Sequence, residues 1–70
     1  MMKISARNIL KGKVKRVTHG LVDSEITVEL AGGTEIVSTI TKSSGEHLGL
    51  KEGQVVSAVI EGTDVMIGLD

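Results

Sequence analysis

The run Glu25-Ile26-Thr27-Val28-Glu29-Leu30, followed by Ala31-Gly32-Gly33, constrains this chain more than any other segment. Apolar Ile26, Val28 and Leu30 alternate with polar Glu25, Thr27 and Glu29. A period of two marks a strand with one buried face, and the spacing predicts that strand over residues 21–31. The two glycines that follow predict a tight hairpin, because two-residue primed turns need positive φ. Residues 34–41, rich in β-branched side chains, read as the returning strand. The pattern also predicts an earlier strand over residues 13–18, ended by His19-Gly20. Further on it predicts a buried strand over residues 55–60, a turn at 61–63, and a last strand in which Val65, Ile67 and Leu69 alternate.

Ser43-Ser44-Gly45-Glu46-His47-Leu48-Gly49 interrupts the strands. Ser43 with Glu46 three residues later fits a capping box, and Gly49 fits a helix stop. A helix of one or two turns is expected there, with His47 on its surface near the C-terminal end. The order is strand, long hairpin, short helix, hairpin. That layout predicts an all-β fold, an OB-like five-stranded β-barrel with one short helix after the third strand. An SH3-like barrel is the rival. The seventy residues form one domain, 1–70.

Composition limits what such a barrel can do alone. The chain has no Phe, Tyr, Trp or Cys. A domain this small hides only about 60% of the surface its unfolded chain exposes. Without aromatic bulk, disulfides or thiolate metal sites, oligomerisation is the stabilising device left. His19 and His47 are too few and too far apart for a metal motif. No apolar run approaches the ~20 residues of a membrane span. No secretory signal is visible, so a cytoplasmic protein without membrane contact is expected.

Charge is unevenly placed. Lys3, Arg7, Lys11, Lys13, Lys15 and Arg16 are six of the eight basic residues, and every acid lies at Asp23 or later. Inside the basic segment, Ser5-Ala6-Arg7 combines a hydroxyl, a small residue and a planar fork of guanidinium donors. Such a set suits a small anion. Thr41 and Ser44 lie in the strand-to-helix connection, where free N–H groups add to the donor supply. Two segments so distant in sequence must meet in space to act together. No nucleophile motif, phosphate loop or paired metal ligands can be read, so no enzyme is expected.

Ile4-Ser5-Ala6-Arg7-Asn8, Leu10-Lys11-Gly12, Gly20, Gly32-Gly33, Leu48-Gly49-Leu50-Lys51-Glu52-Gly53 and Thr63-Asp64-Val65-Met66 together resemble the molbindins. These are small molybdate- and tungstate-binding proteins made of a single Mop domain. The resemblance spans essentially the whole chain. It implies an OB-like barrel, intimate dimers, and a homohexamer built as a trimer of dimers. It further implies that molybdate or tungstate is bound as an intact oxyanion at subunit interfaces, with no side chain ligating the metal directly. Storage or buffering of the oxyanion would be the role.

The resemblance implies two kinds of site. At the dimer interface it carries over Ser5, Ala6, Arg7, Thr41 and Ser44, with Glu61 and Gly62 in the turn before the last strand. Near the three-fold axes it carries over His19, Gly20 and Leu21. One position departs from the family pattern. Glu61 stands where a lysine usually contacts the anion. A carboxylate repels a dianion, and a lost charge-assisted hydrogen bond is worth roughly 1.5–3 kcal/mol, a factor of ten or more in affinity. Glu61 pairs with Arg7 or another base and points away, or the interface sites are weakened, or a different anion is bound. OB barrels also bind single-stranded nucleic acid. That mode leans on aromatic stacking platforms, which this chain lacks.

Overall fold

The computed structural model describes residues 5 and 7–69. Lys3, Ile4 and Ala6 lie outside the described residues. Among the described residues four strands form one antiparallel sheet: β1 (Asn8–His19), β2 (Asp23–Leu30), β3 (Glu35–Thr41) and β4 (Val55–Ile60). Their spatial order is β3-β2-β1-β4, and the sheet curls into a half-barrel. One α-helix among the described residues, α1 (Lys42–Leu48), follows β3 as expected.

β1 is longer than its pattern suggested, because its first half pairs with β4 (Asn8 with Ile60, Lys13 with Val55) and its second half with β2. It also carries a bulge. The β1–β2 register shifts between Val14 and Arg16, so Lys15 has no partner on β2. Before the bulge, Val14 faces inward opposite Val28. After it, Val17 faces inward opposite Ile26, and His19 lies opposite Ser24. One extra residue thus changes which parity of β1 points at the core. The signal was present in the sequence as Val14-Lys15-Arg16-Val17, where the apolar spacing is three instead of two.

The core is thin. Val14, Ile26 and Val28 are buried, and Val17, Leu30, Ile40, Leu50 and Val56 pack against them. Large apolar side chains remain outside, among them Leu21, Val55, Met66, Ile67 and Leu69. Exposed apolar surface on this scale marks an interaction face more often than a solvated one.

Four expectations need correction. The β2–β3 connection is not a two-residue turn. Ala31–Gly33 forms a three-residue 3-10 turn closed by the Leu30 N–H on the Thr34 carbonyl at 2.7 Å, with Gly32 and Gly33 both at positive φ. The helix cap is Thr41, not Ser43: the Thr41 hydroxyl accepts from the Ser44 N–H, three residues on. Glu46 therefore falls too late to close a capping box. β4 is half-buried, not fully buried, since nothing in the sheet lies beyond it and its residues alternate between partial and full exposure. The fifth strand does not form among the described residues. Val65, Met66, Ile67 and Leu69 leave the Gly62–Asp64 turn, pair with no strand among the described residues, and are exposed. Alternation fits a segment for a ladder, but a ladder needs a partner strand.

Candidate functional site

The start of α1 is built from backbone geometry. Thr41 is extended (φ −67°, ψ 151°), which ends β3 and lets its side chain turn back on the helix. Its hydroxyl accepts from the Ser44 N–H at 3.1 Å and donates to the Ser44 Oγ at 2.8 Å. The two expected hydroxyls therefore stand together, aligned at one exposed helix end. Gly49 ends α1 in the left-handed region (φ 62°), with its N–H on the Glu46 carbonyl and the Leu50 N–H on the Gly45 carbonyl. This closure returns Leu50 to the core. Ser43, Ser44, His47 and Leu48 line a shallow hollow of about 510 Å³ on the outer side of the helix.

The turn between β1 and β2 lies beside this helix start. The Gly20 N–H donates to the Asp23 carbonyl at 2.7 Å, and the Lys42 N–H donates to the Val22 carbonyl at 2.8 Å. Residues 20–23 are thereby fastened to the first residue of α1. His19 Nδ1 hydrogen-bonds the Ser24 Oγ at 2.9 Å across the mouth of the turn. Leu21 is almost fully exposed.

The remaining expected residues sit elsewhere. Asn8 pairs with Ile60, and Asn8 Nδ2 donates to the Ile60 carbonyl at 3.2 Å. Arg7 and Ser5 precede that pair, and Glu61 and Gly62 follow it, all exposed. The donor set is thus divided. Ser5, Arg7, Glu61 and Gly62 belong to the Asn8 end of the twelve-residue β1, whereas Thr41, Ser44 and the His19-Gly20-Leu21 turn belong to its His19 end. No hydrogen bond joins the two groups among the described residues. Ala6 was expected in the first group and lies outside the described residues. A pairing of Glu61 with Arg7, one of the three alternatives for this position, is not found, since the ion pairs among the described residues are those of Lys15 with Glu29 and Glu35. No cluster of His, Cys, Asp or Glu among the described residues could hold a metal ion. No described helix is long and apolar enough to cross a membrane.

Sequence reasoning missed Ser24. Extending the alternation of Ile26, Val28 and Leu30 back by two residues puts this hydroxyl on the inner face, where a buried polar group must have a partner.

A sequence model of the TOBE domain matches residues 4–67. The chain belongs to the TOBE-domain family. Molybdenum-pterin-binding protein 3 of Clostridium pasteurianum is 56% identical to this TOBE domain over 66 residues, which cover 94% of this chain and 97% of that protein. The solved structure of a molybdate binding protein from Sporomusa ovata is similar at a TM-score of 0.91 and 37% identity, covering 97% of this chain and 100% of that one. The cytoplasmic molybdate-binding protein ModG, solved with molybdate bound, matches at a TM-score of 0.93 and 48% identity over 99% of this chain. This TOBE domain spans about half of that chain, 49%. The molbindin resemblance and the OB-like fold both hold.

Proposed function

We propose that this TOBE domain, acting as one unit over residues 1–70, binds molybdate or tungstate at sites completed between copies of itself, and so stores or buffers the oxyanion in the cytoplasm. The division of the donor set carries this reading. Ser5, Arg7 and Gly62 at one end of β1 and Thr41 and Ser44 at the other become one site when a second copy brings its opposite end alongside. The exposed Val65, Met66, Ile67 and Leu69 supply apolar surface for that contact. A tetrahedral dianion takes many hydrogen bonds, so hydroxyls, backbone N–H groups and Arg7 suffice without a direct metal bond. Relatives that bind molybdate support the choice of ligand. The assembly is a homohexamer, a trimer of dimers, with His19, Gly20 and Leu21 at the three-fold sites. No catalytic step is assigned.

The test is to purify the protein from cells given both oxyanions and to measure native mass and metal content together. A hexameric mass carrying molybdenum or tungsten is expected, with a thermal midpoint that rises with added oxyanion, because a ligand held only by the assembled form stabilises it. A metal-free monomer with unchanged melting overturns the reading.

One observation favours a second reading, a Mop-type subunit whose dimer-interface sites are weakened. Glu61 is exposed and makes no ion pair among the described residues, so its charge is not neutralised within the chain. Under this reading Glu61→Lys raises tungstate affinity by a factor of roughly ten, one charge-assisted hydrogen bond. Calorimetry that finds the two proteins equal removes Glu61 from the site.

A further inference from the structure

We infer that Ser24 is the positioning residue for His19, holding the imidazole as the Nε2–H tautomer so that its outward nitrogen donates to the anion at the three-fold site. The inference rests on the oxyanion reading above for its ligand, but its geometry stands without it.

Ser24 is wholly buried, at 0% exposure. Gly45 of α1 covers it: a Cβ built on Gly45 would lie 3.6 Å from the Ser24 Oγ. Ile40 faces it across the β2–β3 ladder. Among the described residues the one side-chain hydrogen bond of Ser24 is with His19 Nδ1. A buried hydroxyl proton without an acceptor is costly, and with water excluded Nδ1 is the acceptor at hand. The hydroxyl therefore donates, Nδ1 carries the lone pair, and the ring proton resides on Nε2. Nε2 lies on the side of the ring away from Ser24, and His19 is exposed.

The bulge at Lys15 makes this contact possible. Were the same residues paired without a bulge, Thr18 and not His19 would share the inner face with Val14. The consequence for binding is specific. A fixed Nε2–H offers an anion oxygen a donor even when the imidazole is neutral, whereas the other tautomer would present a lone pair and repel it.

The test labels histidine with ¹⁵N and records long-range proton–nitrogen correlations without oxyanion, at a pH where imidazoles are neutral. His47, which makes no side-chain hydrogen bond among the described residues, is the internal reference. His19 is expected as the Nε2–H tautomer, with Nδ1 shifted from the His47 value as an acceptor should be. In Ser24→Ala that shift disappears, and Ser24→Cys, a weak donor, restores part of it. In tungstate titrations of the intact oligomer, Ser24→Ala is expected to weaken the three-fold sites roughly five- to tenfold, the loss of one oriented hydrogen bond, and to spare the dimer-interface sites. An Nδ1-protonated His19 in the unsubstituted protein overturns the inference even if Ser24→Ala fails to fold. So does a folded Ser24→Ala protein with unchanged tungstate affinity at every site. A protein that shows the expected tautomer but takes up no tungstate overturns the oxyanion reading and leaves the Ser24–His19 orientation standing.

Discussion

Gly12 of β1 stands against the backbone of Glu29 on β2 so closely that a Cβ there would meet the Glu29 carbonyl oxygen at 2.6 Å and a Val28 methyl at 2.8 Å. The carbonyl belongs to the ladder, so it cannot yield without parting the two strands. Gly12→Ala is therefore expected to destabilise the protein by about 1–3 kcal/mol, the cost of overpacking a fitted contact. A lower urea midpoint at fixed protein concentration is the measurement. An unchanged midpoint would mean that β1 and β2 shift freely here.

Thr41 and Ser43 separate two ways of starting the same helix. Thr41→Ala removes the acceptor for the Ser44 N–H and is expected to cost about 1 kcal/mol. Ser43→Ala touches no cap and stays within about 0.5 kcal/mol. Thermal unfolding of the pair decides. Equal losses would return the cap to Ser43.

Lys15 reaches from the bulge across β2 to Glu35 on β3, at 2.5 Å. The hydrogen bond and charge of Lys15 hold the Glu35 carboxyl below its ordinary 4.5, and Glu35 in turn lifts Lys15 above its ordinary 10.5. A depressed carboxyl stabilises the fold above its unfolded value, and that contribution is lost as pH falls through the folded one. A raised amine stabilises below its unfolded value, and the contribution is lost as pH rises through the folded one. Both groups are exposed, so salt screens the pair and the effect is small. Glu35→Gln should lower the melting temperature slightly near neutral pH and low salt. The difference should shrink in high salt and vanish once the carboxyl is protonated. A gap that persists in acid would point to a packing role.

Ile67 is 90% exposed in the single chain. Ile67→Asp should leave an isolated subunit unharmed but disrupt an assembly that covers this segment. Sedimentation velocity is expected to show smaller species for the variant than for the parent. Identical masses would mean that residues 65–69 stay uncovered.

Where local physics decides, the sequence was a good guide. Val55–Ile60 and the Gly49 stop follow from apolar runs and backbone freedom. β2 and β3 follow from alternation. The fold class follows from their order. What escaped was set by partners. The first half of β1 looks like a loop, with Lys11-Gly12-Lys13, and becomes strand because β4 lies beside it. Val65, Ile67 and Leu69 have the pattern of a strand and find no neighbour among the described residues. The expected site residues were split for the same reason: Arg7 and Thr41 leave the sheet at opposite ends of β1, a relation fixed by register and invisible to spacing. Ser24 was legible in phase, although a buried serine carries no motif.

The bulge at Lys15 reconciles valines three residues apart with a ladder of period two. Charged or polar replacements at position 15 keep the strand in step. Pairing the same residues without a bulge would turn Arg16 and Thr18 into the barrel and swing Val17 and His19 out to solvent, whereas dropping the codon for Lys15 would leave Arg16 opposite Thr27 and keep Val17 and His19 in step. A single in-frame deletion there would fit the ladder and cost the protein Lys15 with its ion pairs to Glu29 and Glu35, while the inward set of β1 stayed the same.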